Sequence, residues 1–205
     1  MKKVLKLAAI FALLPFFMLT SCSDDDGDDP TPENQDRFEE FKSYLVDNNM
    51  DLTDILDGWI ITAEAVYSAM DDYYFIDIRS ESDFNDARIE GAVNSTLGNV
   101  LLNAQDAPAG KTIVVVCYTG QTAGHAVVAL RMSGYPTAKV LKWGMSGWNP
   151  ETAGAWNGNI GDVAVGDPSW IVPPGETMDA EPHDPPQLMF ETDDMNEILE
   201  TQVAG

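Results

Sequence analysis

Residues 112–134 read TIVVVCYTGQTAGHAVVALRMSG, and their reading decides the fold. Ile113 to Val116 are apolar and β-branched without interruption, as expected of a strand covered on both faces. From Thr122 the period changes, and Ala123, Ala126, Val127 and Leu130 fall on one face of a helix. Gly134, followed by Tyr135 and Pro136, marks that helix's end. Between strand and helix stands Cys117, in a turn that holds Gly120 and two threonines.

Working outward, the same alternation recurs. Strands are predicted at 59–61, at 73–78 (YYFIDI), near 92–94 and at 138–142 (AKVLK), from their aromatic and β-branched residues. Thr62 is placed to cap a helix beginning at Ala63. Residues 80–91 read as a polar connection, 97–103 as helix and 107–111 as a turn. Strands alternating with short helices imply an α/β domain, a parallel central sheet of about five strands wrapped by helices. Residues 52–148 form this domain. An N-terminal helical extension precedes it at 37–51, where Phe38, Phe41 and Leu45 recur at helical spacing. An acidic, Pro- and Gly-rich C-terminal extension follows at 149–205, with no second core but with Trp156, Trp170 and Phe190 available to cover a flank of the domain.

The chain of 205 residues carries 34 acidic and 11 basic side chains, a formal net charge of −23. The excess sits in the flanks: residues 22–36 hold seven acids and 149–205 hold twelve, with no Lys or Arg in either. Such a distribution offers nucleic acid no basic footprint, so no nucleic-acid partner is expected.

The opening MKKVLKLAAIFALLPFFMLTSC has a basic start and an apolar run shorter than the roughly 20 residues a membrane span needs. Leu19-Thr20-Ser21-Cys22 resembles the lipobox of bacterial lipoproteins. That resemblance implies a signal peptide over 1–21, acylation of Cys22 and an acidic flexible tether over 22–36. The expected location is the cell envelope, lipid-anchored at a bacterial outer membrane, periplasmic or surface-exposed. With Cys22 lipidated, Cys117 is the one thiol left. It has no partner for a disulfide or for a two-thiol redox cycle.

A lone cysteine is either an inert core side chain or a nucleophile acting alone. Its place argues for the second: ligands of open parallel sheets bind beyond the carboxyl ends of the strands, where chains turn into helices. Helix N-termini present unpaired N–H groups, and Gly120 permits the tight turn that aims them inward. Thr119 and Thr122 add hydroxyls. A thiol at the focus of these dipoles should favour its nucleophilic thiolate form.

Two motifs then carry a family resemblance. FIDIRSESDFNDARIEGAVN (75–94) is similar to the rhodanese superfamily's Asp-x-Arg at a strand end followed by Ile-x-Gly-Ala-x-Asn. IVVVCYTGQTAGHAVVALRMSGYPTAKVLKWGMSGW (113–148) resembles its strand, cysteine loop, helix, strand and terminal Gly-x-x-x-Trp. The resemblance covers about residues 52–148 and implies a single-domain sulfurtransferase. In it, Cys117 would take a sulfane sulfur as a persulfide, within a substrate-binding loop of Tyr118, Thr119, Gly120, Gln121, Thr122 and Ala123. Asp77 and Arg79 match the family's pair near the site, where a structural ion pair is favoured over direct chemistry. Trp143, past a strand end on the same side as Cys117, either lines the entrance or packs. His125 lies opposite the apolar helix face and is expected to be solvated. The implied partners are a small sulfur donor and a thiol, cyanide or protein acceptor, with no cofactor and no metal.

The loop departs from many relatives in lacking an internal arginine or lysine, and Arg88 stands where the family usually has histidine. A donor less charged than thiosulfate, a polysulfide or persulfide, is therefore expected. Three other readings compete. A cysteine-dependent phosphatase or arsenate reductase needs an arginine six residues after the cysteine, where this chain has Ala123, and Arg131 is two turns further on. A rhodanese-like binding module without activity is the stronger rival. A cation-binding acidic surface protein is the third, although DDDGDD lacks the spacing of a calcium loop.

Overall fold

In a computed structural model, the structure describes residues 37–161, 165–166 and 183–204. The predicted signal peptide, Cys22, the tether and Trp170 lie outside these residues. The chain runs through α1 (Arg37–Asp47), α2 (Leu52–Ile55), β1 (Ile60–Ile61), α3 (Ala63–Tyr67), β2 (Tyr73–Asp77), α4 (Glu81–Asp86) and β3 (Val93–Asn94). It continues through α5 (Val100–Ala104), β4 (Thr112–Val116), α6 (Gln121–Met132), β5 (Lys139–Leu141), α7 (Gly144–Trp148), α8 (Gly154–Asn157) and α9 (Met195–Ala204).

The strands form one sheet in the order β1-β5-β4-β2-β3, and every pairing is parallel. β4 is central, pairing Tyr73 to Asp77 of β2 with Thr112 to Val116 along its whole length. Its uninterrupted apolar run has the expected cause. Ile113 and Val115 point into a cluster with Val100, Ala126, Val127 and Leu130 of α5 and α6. Val114 and Val116 point to the other face, against Val66 of α3, Ile89 and Met145 of α7. The period of two thus splits each inner strand between two cores, Ile76 from Phe75 and Val140 from Leu141. Cys117 continues the β4 alternation and falls on the α6 side.

Local signals account for the helix ends. Thr62 Oγ1 accepts from the Ala65 N–H at 3.3 Å and starts α3. At the far end of α6, the Tyr135 N–H donates to the Leu130 carbonyl at 3.0 Å, closing the helix at Gly134.

The connection at 80–91 is corrected: it contains α4. Ser80 caps this helix, its Oγ accepting from the Asp83 N–H at 3.2 Å, while the Asp83 carboxylate accepts from the Ser80 hydroxyl at 2.6 Å. A Ser-x-x-Asp pair can start a helix even where polar composition suggests a loop.

The extensions pack on the domain. α9 lies against α6 and buries Ile198 and Leu199. Arg37, at the start of α1, donates to the Thr192 carbonyl at 3.1 Å and lies 5.7 Å over the Phe190 ring. Phe190 also packs on Phe41, at 5.6 Å between centroids. Among the described residues, no helix is long and apolar enough to cross a membrane.

Candidate active site

The carboxyl ends of β2, β4 and β5 lie side by side, and the loops leaving them meet. Register alone sets this out: Asp77 pairs with Val116, one residue before Cys117. β5 ends at Leu141, just before Lys142 and Trp143.

Cys117 begins the loop into α6. Its thiol accepts from the Gly120 N–H at 3.1 Å. Gly120 has φ 90°, a left-handed conformation in which the chain leaves this turn and enters α6. The turn has little room: a Cβ on Gly120 would lie 3.2 Å from the Trp143 nitrogen.

The loop is held from below by α7. The Met145 N–H donates to the Cys117 carbonyl at 2.8 Å, and the Ser146 N–H to the Tyr118 carbonyl at 3.0 Å. The Ser146 hydroxyl adds a second bond to that carbonyl at 2.8 Å. Two loop carbonyls are thereby turned away from the sulfur toward the first turn of α7, whose free amides need acceptors. Gly144 permits the approach, since a Cβ there would meet the Cys117 oxygen at 2.2 Å. Met145 and Ser146 were not singled out in the sequence, although the Gly-x-x-x-Trp motif runs through them.

The expected ring of donors around the sulfur is corrected. Among the described residues, one hydrogen bond reaches Sγ, the one from Gly120, and the hydroxyls of Thr119 and Thr122 make none to it. Thr119 is half-buried, Gln121 and Thr122 are exposed, and Ala123 is packed in the core under α6. Cys117 itself is only 3% exposed.

The Tyr118 side chain reaches the start of α4. Its hydroxyl donates to the Asp83 carboxylate and accepts from the Ser80 N–H at 3.2 Å. Hydrogen bonds from Ser80 and then Tyr118 hold the Asp83 carboxyl below its ordinary value.

Asp77 and Arg79 form the expected ion pair. Arg79 Nη2 meets Asp77 Oδ2 at 2.7 Å and Nε meets Oδ1 at 3.0 Å, with both side chains buried. Arg79 also donates to the Ala87 carbonyl at 2.7 Å, tying the β2 end to the segment after α4. The Tyr118 ring lies 6.0 Å from its guanidinium carbon. Both charges are committed to each other and to backbone, the structural role favoured above.

Trp143 is 51% exposed, has φ 65° and packs on Trp156 of α8 at 5.1 Å between centroids. The C-terminal extension thus supplies its neighbour. His125 is exposed, as expected. Arg131 is buried, donating to the carbonyls of Ala138, Ile55 and Asp57 at 2.7–2.8 Å, and is not available to grip a phosphate. Among the described residues, no group of three or more His, Cys, Asp or Glu could hold a metal ion.

Known proteins resemble this chain in sequence across the domain that holds the site. A profile of the rhodanese-like domain family matches residues 62–151. Thiosulfate sulfurtransferase GlpE of Shewanella oneidensis is 32% identical over 78 residues, 38% of this chain and 77% of that protein. Among solved structures, a rhodanese-related protein from Thermoplasma volcanium is similar with a TM-score of 0.41 and 21% identity, over 45% of this chain and 91% of that one. A protein from Staphylococcus saprophyticus has a TM-score of 0.40 and 20% identity, over 45% of this chain and 94% of that one. From the profile match over residues 62–151 and the 32% identity with a thiosulfate sulfurtransferase over 77% of that protein, the chain belongs to the rhodanese-like family.

Proposed function

We propose that the protein is an extracytoplasmic sulfurtransferase, anchored through lipid on Cys22, that carries a sulfane sulfur as a persulfide on Cys117. The observation that carries the reading is the Gly120 N–H aimed at Cys117 Sγ from 3.1 Å, at the carboxyl end of the central strand. A main-chain N–H directed at this sulfur favours negative charge there, as a nucleophilic sulfur requires.

In the first half-reaction, the Cys117 thiolate attacks the outer sulfur of a donor. An S–S bond forms to Cys117, the donor's own S–S bond breaks, and the donor leaves with the electron pair. Thiosulfate would depart as sulfite, an organic persulfide as a thiolate. An acceptor thiolate or cyanide then attacks the outer sulfur and returns Cys117 to its starting state. The loop offers no side-chain cation, since Tyr118, Thr119, Gln121 and Thr122 fill the positions before Ala123. A less charged donor than thiosulfate suits it better. Second-order rates of sulfur uptake from thiosulfate and from glutathione persulfide test this choice. The persulfide should be faster, and a thiosulfate rate far above it would reverse the assignment of donor.

Export is tested separately, by labelling cells with a radioactive fatty acid. The protein should take up label, and Cys22→Ala should remove it. An unlabelled wild-type protein would refute the anchor and leave the sulfur chemistry untouched.

One observation favours a second reading, a binding module without turnover. Cys117 is 3% exposed and belongs to the α6-side core, as an inert thiol would. Sulfur uptake by the folded protein separates the two.

A further inference from the structure

We propose that Tyr118 is a positioning residue whose phenol, held between the Ser80 N–H and the Asp83 carboxylate, keeps the Cys117 loop in the shape that aims the Gly120 amide at the sulfur. The inference rests on the reading of Cys117 as a sulfur acceptor and adds to it a part played by α4.

The loop's first residues are fixed on two sides. On one, α7 takes the carbonyls of Cys117 and Tyr118 through Met145 and Ser146. On the other, the Tyr118 side chain crosses to the start of α4. There its hydroxyl donates to Asp83 and accepts from the Ser80 N–H at 3.2 Å. Asp83 receives a second hydrogen bond from the Ser80 hydroxyl at 2.6 Å, and its own N–H donates to Ser80 Oγ at 3.2 Å. The phenol therefore completes a capping box, taking the Ser80 N–H that the Asp83 side chain leaves free.

With its O–H donating to Asp83 and its oxygen accepting from the Ser80 N–H, the hydroxyl is committed to these two bonds and is no free acid for catalysis. What it does is mechanical. Residues 117 and 118 are pinned at carbonyl and side chain, so the chain must reverse at the next two residues. Gly120, at φ 90°, is where it does so. The ring also lies 6.0 Å from the Arg79 guanidinium carbon, so the buried Asp77–Arg79 pair backs the latch. Releasing the phenol frees the peptide that precedes Thr119 and slackens the turn that carries the Gly120 N–H.

The test uses the full chain with Tyr118→Phe, Asp83→Ala, Asp83→Asn and the double variant Tyr118→Phe/Asp83→Ala, at a temperature where circular dichroism shows all of them folded. Amide exchange of Gly120 reads the turn directly, and sulfur uptake at saturating donor reads its consequence. In Tyr118→Phe and Asp83→Ala, Gly120 should exchange about three- to tenfold faster, with Leu130 unmoved, and uptake should slow by a similar factor, the fold-change of one hydrogen bond. Asp83→Asn, which keeps an acceptor, should recover at least half of the loss, and the double variant should be no worse than either single one. Unchanged Gly120 exchange in both single variants, or additive losses in the double, would overturn the latch. If Gly120 responds as expected while the wild type takes sulfur from no donor, the latch stands and the sulfurtransferase reading falls.

Discussion

Gly144 lies so close to Cys117 that a Cβ on it would sit 2.2 Å from the Cys117 carbonyl oxygen. This contact joins the end of β5 to the end of β4. It lets the amides of Met145 and Ser146 hold the loop whose turn faces the sulfur. The clash falls on backbone, which cannot swing aside as a long side chain would, and Gly144 also has φ 53°.

Gly144→Ala should therefore cost on the order of 2 kcal/mol or more in urea unfolding, from strain and steric conflict together. Sulfur uptake by the folded fraction should fall as well, because the displaced segment is the one that anchors the loop. Wild-type stability would show that α7 can move away freely.

The Asp77–Arg79 pair predicts a larger stability effect and a smaller chemical one. Asp77→Ala leaves a buried guanidinium with the Ala87 carbonyl in place of its bidentate partner, a loss of about 3–5 kcal/mol in equilibrium unfolding. Since neither group faces Sγ in a hydrogen bond, uptake per folded molecule should change less than stability does.

Acid should unlatch Asp83. Its carboxyl titrates below the ordinary value because Ser80 and Tyr118 donate to the charged form. A depressed folded value means that the contribution to stability is present above the unfolded carboxylate range, near pH 4, and is lost as pH falls through the lower folded value. Unfolding free energy measured between pH 7 and pH 5 should carry none of this slope. Below about pH 4 the slope should appear in the wild type and be smaller in Asp83→Asn.

Residues beyond the family match contribute to the same folded unit. Ile198 of α9 is buried against α6, the helix that follows the cysteine loop. Ile198→Ala should cost about 2–4 kcal/mol and shift one cooperative transition. Two separate transitions would show that α9 melts apart from the sheet.

How far these relations could be read in advance depends on their range. β4 was legible because burial on both faces leaves a run of apolar residues, and α6 because its buried face repeats at helical spacing. Both are properties of neighbours in the chain. α4 escaped because six residues give too little apolar periodicity, although the Ser80–Asp83 cap could have signalled it. The direction of Tyr118 was not legible, since it depends on a helix start 35 residues away in sequence. The sulfur's surroundings were half legible. A glycine in a turn after a central strand announced a main-chain donor, but not that one amide alone would reach Sγ, nor that Cys117 would be so deeply covered. The cover comes from the core between the sheet and α6 in which Cys117 packs, which only the assembled sheet produces.

The central claim is that a single main-chain amide makes this covered sulfur able to accept another sulfur. Intact mass of the native protein, after incubation with glutathione persulfide and removal of donor, tests it most directly. The account predicts a gain equal to one sulfur atom, mapped to Cys117, absent in Cys117→Ser and reversed by cyanide with release of thiocyanate. A native protein whose mass stays unchanged with every donor, while the unfolded chain is readily alkylated at Cys117, would contradict it.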